Sequence, residues 1–177
     1  MGSHYLGPWR VDVGVRDGVP RLLPAAALAR AVAAALDAAG APRPASIGLV
    51  LADDAELAAL NATHMGKDGP TDVLSFPLLP PSAYPDHSGK AADGAVSPPF
   101  PLPPGTRQHL GDIVVSVERA VEQAAAGRGG QTGDVRWDAR DELRLLVTHG
   151  TLHVCGWDHA EPEEEAAMRE LERRLLA

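Results

Sequence analysis

The sequence predicts an α+β fold, and three observations point there. Four short runs rich in Val, Leu and Ile have strand character. Longer stretches with apolar residues at helical spacing lie between and after them, bounded by capping residues, prolines or glycines. Hydrophobic residues make up 45% of the 177 residues, enough for a real core, while aromatics are only 4%, so Leu, Val and Ala must fill most of it.

WRVDVGV, from Trp9 to Val15, alternates apolar and polar residues and is the first predicted strand. Pro24 opens an alanine-rich helix to about Ala39, with Leu28, Val32 and Leu36 stacked on one face and Gly40 as its stop. SIGLVLA, Ser46 to Ala52, is the second strand, and Asp53 caps a helix carrying Leu57 and Leu60. TDVLSFPL, Thr71 to Leu78, is the third. HLGDIVVSV, His109 to Val117, holds the fourth, and ERAVEQAAAG continues it as a helix ended by Gly127. A polar, glycine-rich loop follows. A long helix then runs from about Asp138 to Cys155. The last helix begins near Pro162, where Glu161, Glu163, Glu164 and Glu165 suit the positive end of a helix dipole. The opening MGSH reads as an appended leader, so His4 is given no function.

Residues 1–177 are expected to form one domain. Nine of the sixteen prolines fall between Pro77 and Pro104. Such a run is poor in backbone donors and predicts an exposed loop at about residues 78–107, an insertion rather than a recognition site. The formal net charge of −8 argues against a broad basic surface for duplex nucleic acid, and leaves room for a small positive site. Cys155 is the lone cysteine, so no intramolecular disulfide can form. With no charged start before an apolar run, a reducing cytoplasm is the expected location. No stretch approaches the roughly 18 apolar residues of a membrane span, so no membrane partner is expected.

THGTLHVCGWDH, Thr148 to His159, holds three of the seven histidines. Positions four apart on a helix share a face, so His149 and His153 point the same way. Gly156 can end the helix in a left-handed residue and turn the chain so that His159 comes back. Three imidazoles leave one corner of a four-coordinate zinc open for water, the pattern of a catalytic site, and zinc brings the pKa of that water to about 7. Asp158 either orients a ligand histidine or stays in solvent, and Cys155 reads as buried packing. The same spacing occurs in metzincin proteases, but those carry a glutamate base directly after the first histidine. Here that position is Gly150, which demotes a metallopeptidase to an alternative.

These residues resemble the YbeY family, bacterial metal-dependent endoribonucleases linked to ribosomal RNA maturation. The family signature H-G-x-L-H-L-x-G-Y-D-H is matched by HGTLHVCGWDH, with Val154 and Trp157 as mild changes. LNATHMGKDGPTDVLSFP (Leu60 to Pro77) and LGDIVVS (Leu110 to Ser116) resemble two further family stretches, in the family's order. The resemblance implies a small mixed sheet flanked by helices, here with four strands and a zinc site at the end of the long helix. It also implies one zinc ion on His149, His153 and His159, with other divalent transition metals open, and single-stranded ribosomal RNA as substrate. Delivery by the ribosome or a ribosomal protein is expected from the acidic charge.

One position departs from the family pattern. An arginine is expected just before Gly-Lys-Asp, and Met65 stands there. A guanidinium holds a phosphate through two hydrogen bonds, and a thioether does not. Lys67 is the nearby point charge and the candidate catalytic residue; Arg107, beside the fourth strand, is a further candidate cation, and His64 reads as a surface histidine with a phosphate contact as the alternative. Asp72 is read as satisfying a loop amide, Ser75 as either a substrate contact or a sheet hydrogen bond, and Asp112 as structural. The expected function is metal-dependent cleavage of single-stranded RNA in ribosomal RNA maturation and ribosome quality control. The other alternative is a ribosome-associated factor whose cleavage is weak because of Met65.

Overall fold

A computed structural model describes residues 1–90, 103, 106–127 and 137–177. Strands β1 (Gly2–Leu6), β2 (Trp9–Val15), β3 (Ala45–Ala52), β4 (Val73–Pro77) and β5 (Gln108–Ser116) form one sheet in the order β1-β2-β3-β5-β4. β2, β3 and β5 run parallel, and β1 and β4 are antiparallel edges, so the sheet is mixed. The helices are α1 (Ala25–Ala38), α2 (Asp54–Met65), α3 (Val117–Ala125), α4 (Ala139–Val154) and α5 (Pro162–Leu176).

The mixed α and β architecture is as expected, but the sheet has five strands rather than four. The additional strand, β1, takes in Gly2–His4 of the segment read as appended, together with Tyr5 and Leu6. β1 pairs with β2 from Gly2↔Val13 to Leu6↔Trp9. None of its residues is buried, so it carries no apolar stripe for a periodicity argument to detect.

Alternation along the inner strands assigns the two faces. Val11, Val13, Ile47, Leu49, Leu51, Ile113 and Val115 point into the main core with α1, α4 and α5. Val50, Ala52, Leu74, Phe76 and Val114 point the other way, against Leu57 and Leu60 of α2. Fully burying one such Val, Leu or Ile is worth about 1.5–3 kcal/mol, so a register slip that reversed the faces would be costly.

α4 starts at a capping box in which Asp138 accepts from Asp141 N–H and Asp141 reaches back. The helix lies on β4 and β5, and Gly150 faces the sheet at close range. A Cβ there would stand 2.7 Å from Ile113 Cγ2 and 2.8 Å from Val73 Cγ2. Ser75, midway along β4, donates its hydroxyl to the Gly150 carbonyl at 2.9 Å. This seats the turn that carries His149 on the sheet edge.

Within the proline-rich stretch, expected to be an exposed loop at about residues 78–107, some of the described residues pack inward. Leu79 and Tyr84 are buried, and Lys90 bridges to Trp157. Prolines remove ladder donors, yet apolar residues set between them still pack. Residues 91–102 and 104–105 of that stretch, and the glycine-rich loop at 128–136, lie outside the described residues. Among the described residues, no helix is long and apolar enough to cross a membrane.

Candidate metal centre

α4 presents His149 and His153 on one face. The helix ends at Cys155, and Gly156 takes φ +80°, the left-handed conformation that the sequence required. The Trp157 amide returns to the Leu152 carbonyl at 3.0 Å and closes the turn. His159 is thereby brought back over the helix. Its ring centroid lies 5.4 Å from that of His149 and 5.0 Å from that of His153, which are themselves 4.5 Å apart. One nitrogen of each ring lies within 4.8 Å of the others.

Their hydrogen bonds say which nitrogen is free. His149 Nδ1 is 2.7 Å from Glu172 Oε1, and His153 Nδ1 is 2.9 Å from the Trp157 carbonyl. Both acceptors assign the proton to Nδ1 and leave a lone pair on each Nε2. Those two Nε2 atoms face each other at 3.0 Å. Opposed lone pairs repel unless a proton or a cation lies between them. Burial, reinforced by His149 and His159, pushes the His153 imidazole down to about 4, which disfavours the proton at neutral pH. The donor set fits a divalent metal ion.

Two cavities meet at these rings. The wide one, about 810 Å³, is lined by all three histidines with Met65, Lys67, Thr71 and Ser75. The narrow one, about 240 Å³, lies behind His149 and His159 and is lined by Glu142, Glu165, Glu172 and Arg169. Asp72 lines both.

The structure places Lys67 in the wide cavity, on the loop after α2, with Met65 beside it and 47% exposed. Arg107 does not reach in. Its guanidinium donates to the Pro8 carbonyl and lies 5.9 Å from the Tyr5 ring centre, and it lines neither cavity. His64 is exposed and meets Phe76 edge to face at 5.2 Å. Asp72 accepts from the Val73 amide at 2.8 Å and from Gln123 at 3.0 Å, the loop-satisfying role expected of it. Asp112 lines neither cavity and pairs with His109 at 3.4 Å. Asp158 accepts from the His159 amide at 2.8 Å, so it braces the loop. Cys155 is buried, and burial pushes its thiol up to about 12.

Sequence reasoning missed two contributors. Glu172 was not singled out, although it follows Met168 by one turn on the buried stripe of α5, and an acid in such a stripe is the available signal. The segment before Lys90 was not placed near the site. There His87 stacks on Trp157 at 3.8 Å, and the Gly89 carbonyl accepts from the Asp158 amide at 2.8 Å.

Comparison with known proteins decides the family. The model described as Endoribonuclease YbeY matches residues 23–177. The chain belongs to the YbeY family. The YbeY match contains all three histidines, Lys67 and Glu172, while β1 and β2 precede it. The YbeY endoribonuclease of Salinispora tropica is 43% identical over 144 residues, 81% of this chain and 80% of that protein. The YbeY endoribonuclease of Roseiflexus castenholzii is 38% identical over 167 residues, 94% of this chain and 90% of that one. The solution structure of TM1509 from Thermotoga maritima superposes with a TM-score of 0.51, covering 94% of this chain and 86% of that one. At 20% identity it speaks for the fold alone.

Proposed function

We propose that this protein is a metal-dependent endoribonuclease that cuts single-stranded RNA, with ribosomal RNA as its target in ribosome maturation and quality control. The observation that carries this reading is the convergence of three imidazole nitrogens at a wide cavity that also holds Lys67. His149, His153 and His159 are the proposed metal ligands, with zinc the first choice among divalent transition metals. The bound ion supplies Lewis acidity and an activated water for attack on a phosphodiester.

The chain's own residues do the rest. Glu172 and the Trp157 carbonyl aim Nε2 of His149 and His153 at the site. The Lys67 ammonium offsets phosphate charge on the wide side. The carboxylates of the narrow cavity repel phosphate, so RNA approaches from the other side. A net charge of −8 gives little general attraction for RNA, so delivery by the ribosome or a ribosomal protein belongs to the proposal.

Met65 favours one further reading, a ribosome-associated factor with slow cleavage, because Lys67 is the one Lys or Arg lining the wide cavity among the described residues. The metallopeptidase reading gains no support. Gly150 offers no base and faces Ile113 and Val73 rather than the rings.

Metal analysis paired with cleavage of single-stranded ribosomal RNA tests the proposal, wild type beside His153→Ala. Loss of metal and of cleavage together is the expected result. Full cleavage by a metal-free variant would refute it, and metal-dependent turnover of unstructured peptides would reinstate the peptidase.

A further inference from the structure

We infer that Glu172 is a positioning residue for the metal centre, fixing the His149 ring so that Nε2 carries the ligating lone pair. The inference rests on the three-histidine metal site proposed above. Glu172 sits on α5, 23 residues beyond its partner, and is 3% exposed. Met168 and Leu171 anchor the same helix in the core, which carries Glu172 inward with them. Its Oε1 stands 2.7 Å from His149 Nδ1. An ionised carboxylate can only accept, so the ring donates from Nδ1 and its tautomer is set. The negative charge also makes the far nitrogen a stronger donor to a cation.

The three rings are held unequally. His153 Nδ1 has a neutral backbone carbonyl at 2.9 Å, and among the described residues no hydrogen-bond acceptor holds the His159 ring. The charged contact falls to His149, which lies between the two cavities. The C-terminal helix is therefore part of the metal centre, although it supplies no ligand.

Zinc affinity, measured by competition with a chromophoric chelator on the full chain, separates positioning from packing. Glu172→Gln keeps the shape and an acceptor but not the charge, and about a tenfold loss of affinity is expected. Glu172→Leu keeps only apolar packing, and about a hundredfold loss is expected. A purely packing role predicts the reverse, with Leu well tolerated in the stripe of Met168 and Leu171. Imidazole nitrogen NMR of the zinc-loaded wild type is the second measurement, and it decides should a variant not fold. The expected signature is a protonated Nδ1 and a ligating Nε2 on His149. Ligation through Nδ1, or affinities of both variants within about twofold of wild type, overturns the inference. Wild type that binds no zinc overturns the metal site and this inference together, whereas wild-type binding with unaltered variants removes the inference alone.

Discussion

The two cavities that share His149, His159 and Asp72 differ in chemistry as much as in size. The wide one, about 810 Å³, offers Lys67 with the neutral polar residues Asn61, Thr71 and Ser75. Its two acids, Asp72 and Asp158, already accept from the amides of Val73 and His159. The narrow one, about 240 Å³, gathers Glu142, Glu165 and Glu172, with Arg169 paired to Glu165. An acidic protein can thus receive a phosphodiester if its carboxylates stand behind the proposed metal ligands rather than in front of them. Under the proposed function the wide cavity is the substrate side, and the narrow one backs the histidines.

Reversing the charge on the substrate side should give the largest effect. Lys67→Glu is expected to reduce RNA cleavage by about a hundredfold with metal content unchanged, as for loss of one transition-state donor. Equal cleavage in a steady-state assay would erase the distinction between the cavities. Met65→Arg tests the same wall in the other direction, and a gain of about tenfold in kcat/KM is expected from a bidentate phosphate contact. No gain would mean that Lys67 suffices or that chemistry is not limiting.

Changes at Gly150, packed on the sheet, and at Glu142 of the narrow cavity should act on stability instead. Gly150→Ala forces a methyl against Ile113 and Val73, and about 1–3 kcal/mol of destabilisation is expected. Calorimetry would read that as a fall in Tm of about 2–4 °C per kcal/mol. The smallest effect belongs to Glu142, which is 3% exposed and whose carboxyl is pushed up by burial and by nearby Asp72. Its folded-state pKa is raised, so it stabilises the fold while protonated, and that contribution is lost as pH rises from the ordinary carboxylate range through the folded value. Glu142→Gln should therefore lose less stability than wild type between pH 4 and pH 7, with zinc affinity unchanged. Paired melts at the two pH values check the first part, and a loss of zinc affinity would move Glu142 into the metal centre.

What could be read in advance was local. Two histidines four apart, an acid at Asp138 and a glycine at Gly156 obey rules that operate within a few residues, so the limits of α4 and its closing turn were legible. The strand faces were legible wherever one side is buried. The contacts that complete the site join distant segments. Glu172 reaches His149 from 23 residues away, and the stretch before Lys90 packs on Trp157 through a stack and a single bridge. No short-range pattern encodes such pairings. β1 escaped for the opposite reason, since none of the residues of this edge strand is fully buried and they leave no stripe.

Titration of metal-stripped protein with zinc, while following cut single-stranded ribosomal RNA, puts the metal centre to its most direct trial. Cleavage should climb in step with the bound ion and level off at one per chain. Cleavage that proceeds undiminished under a strong chelator would show that these three imidazoles are not where RNA is cut.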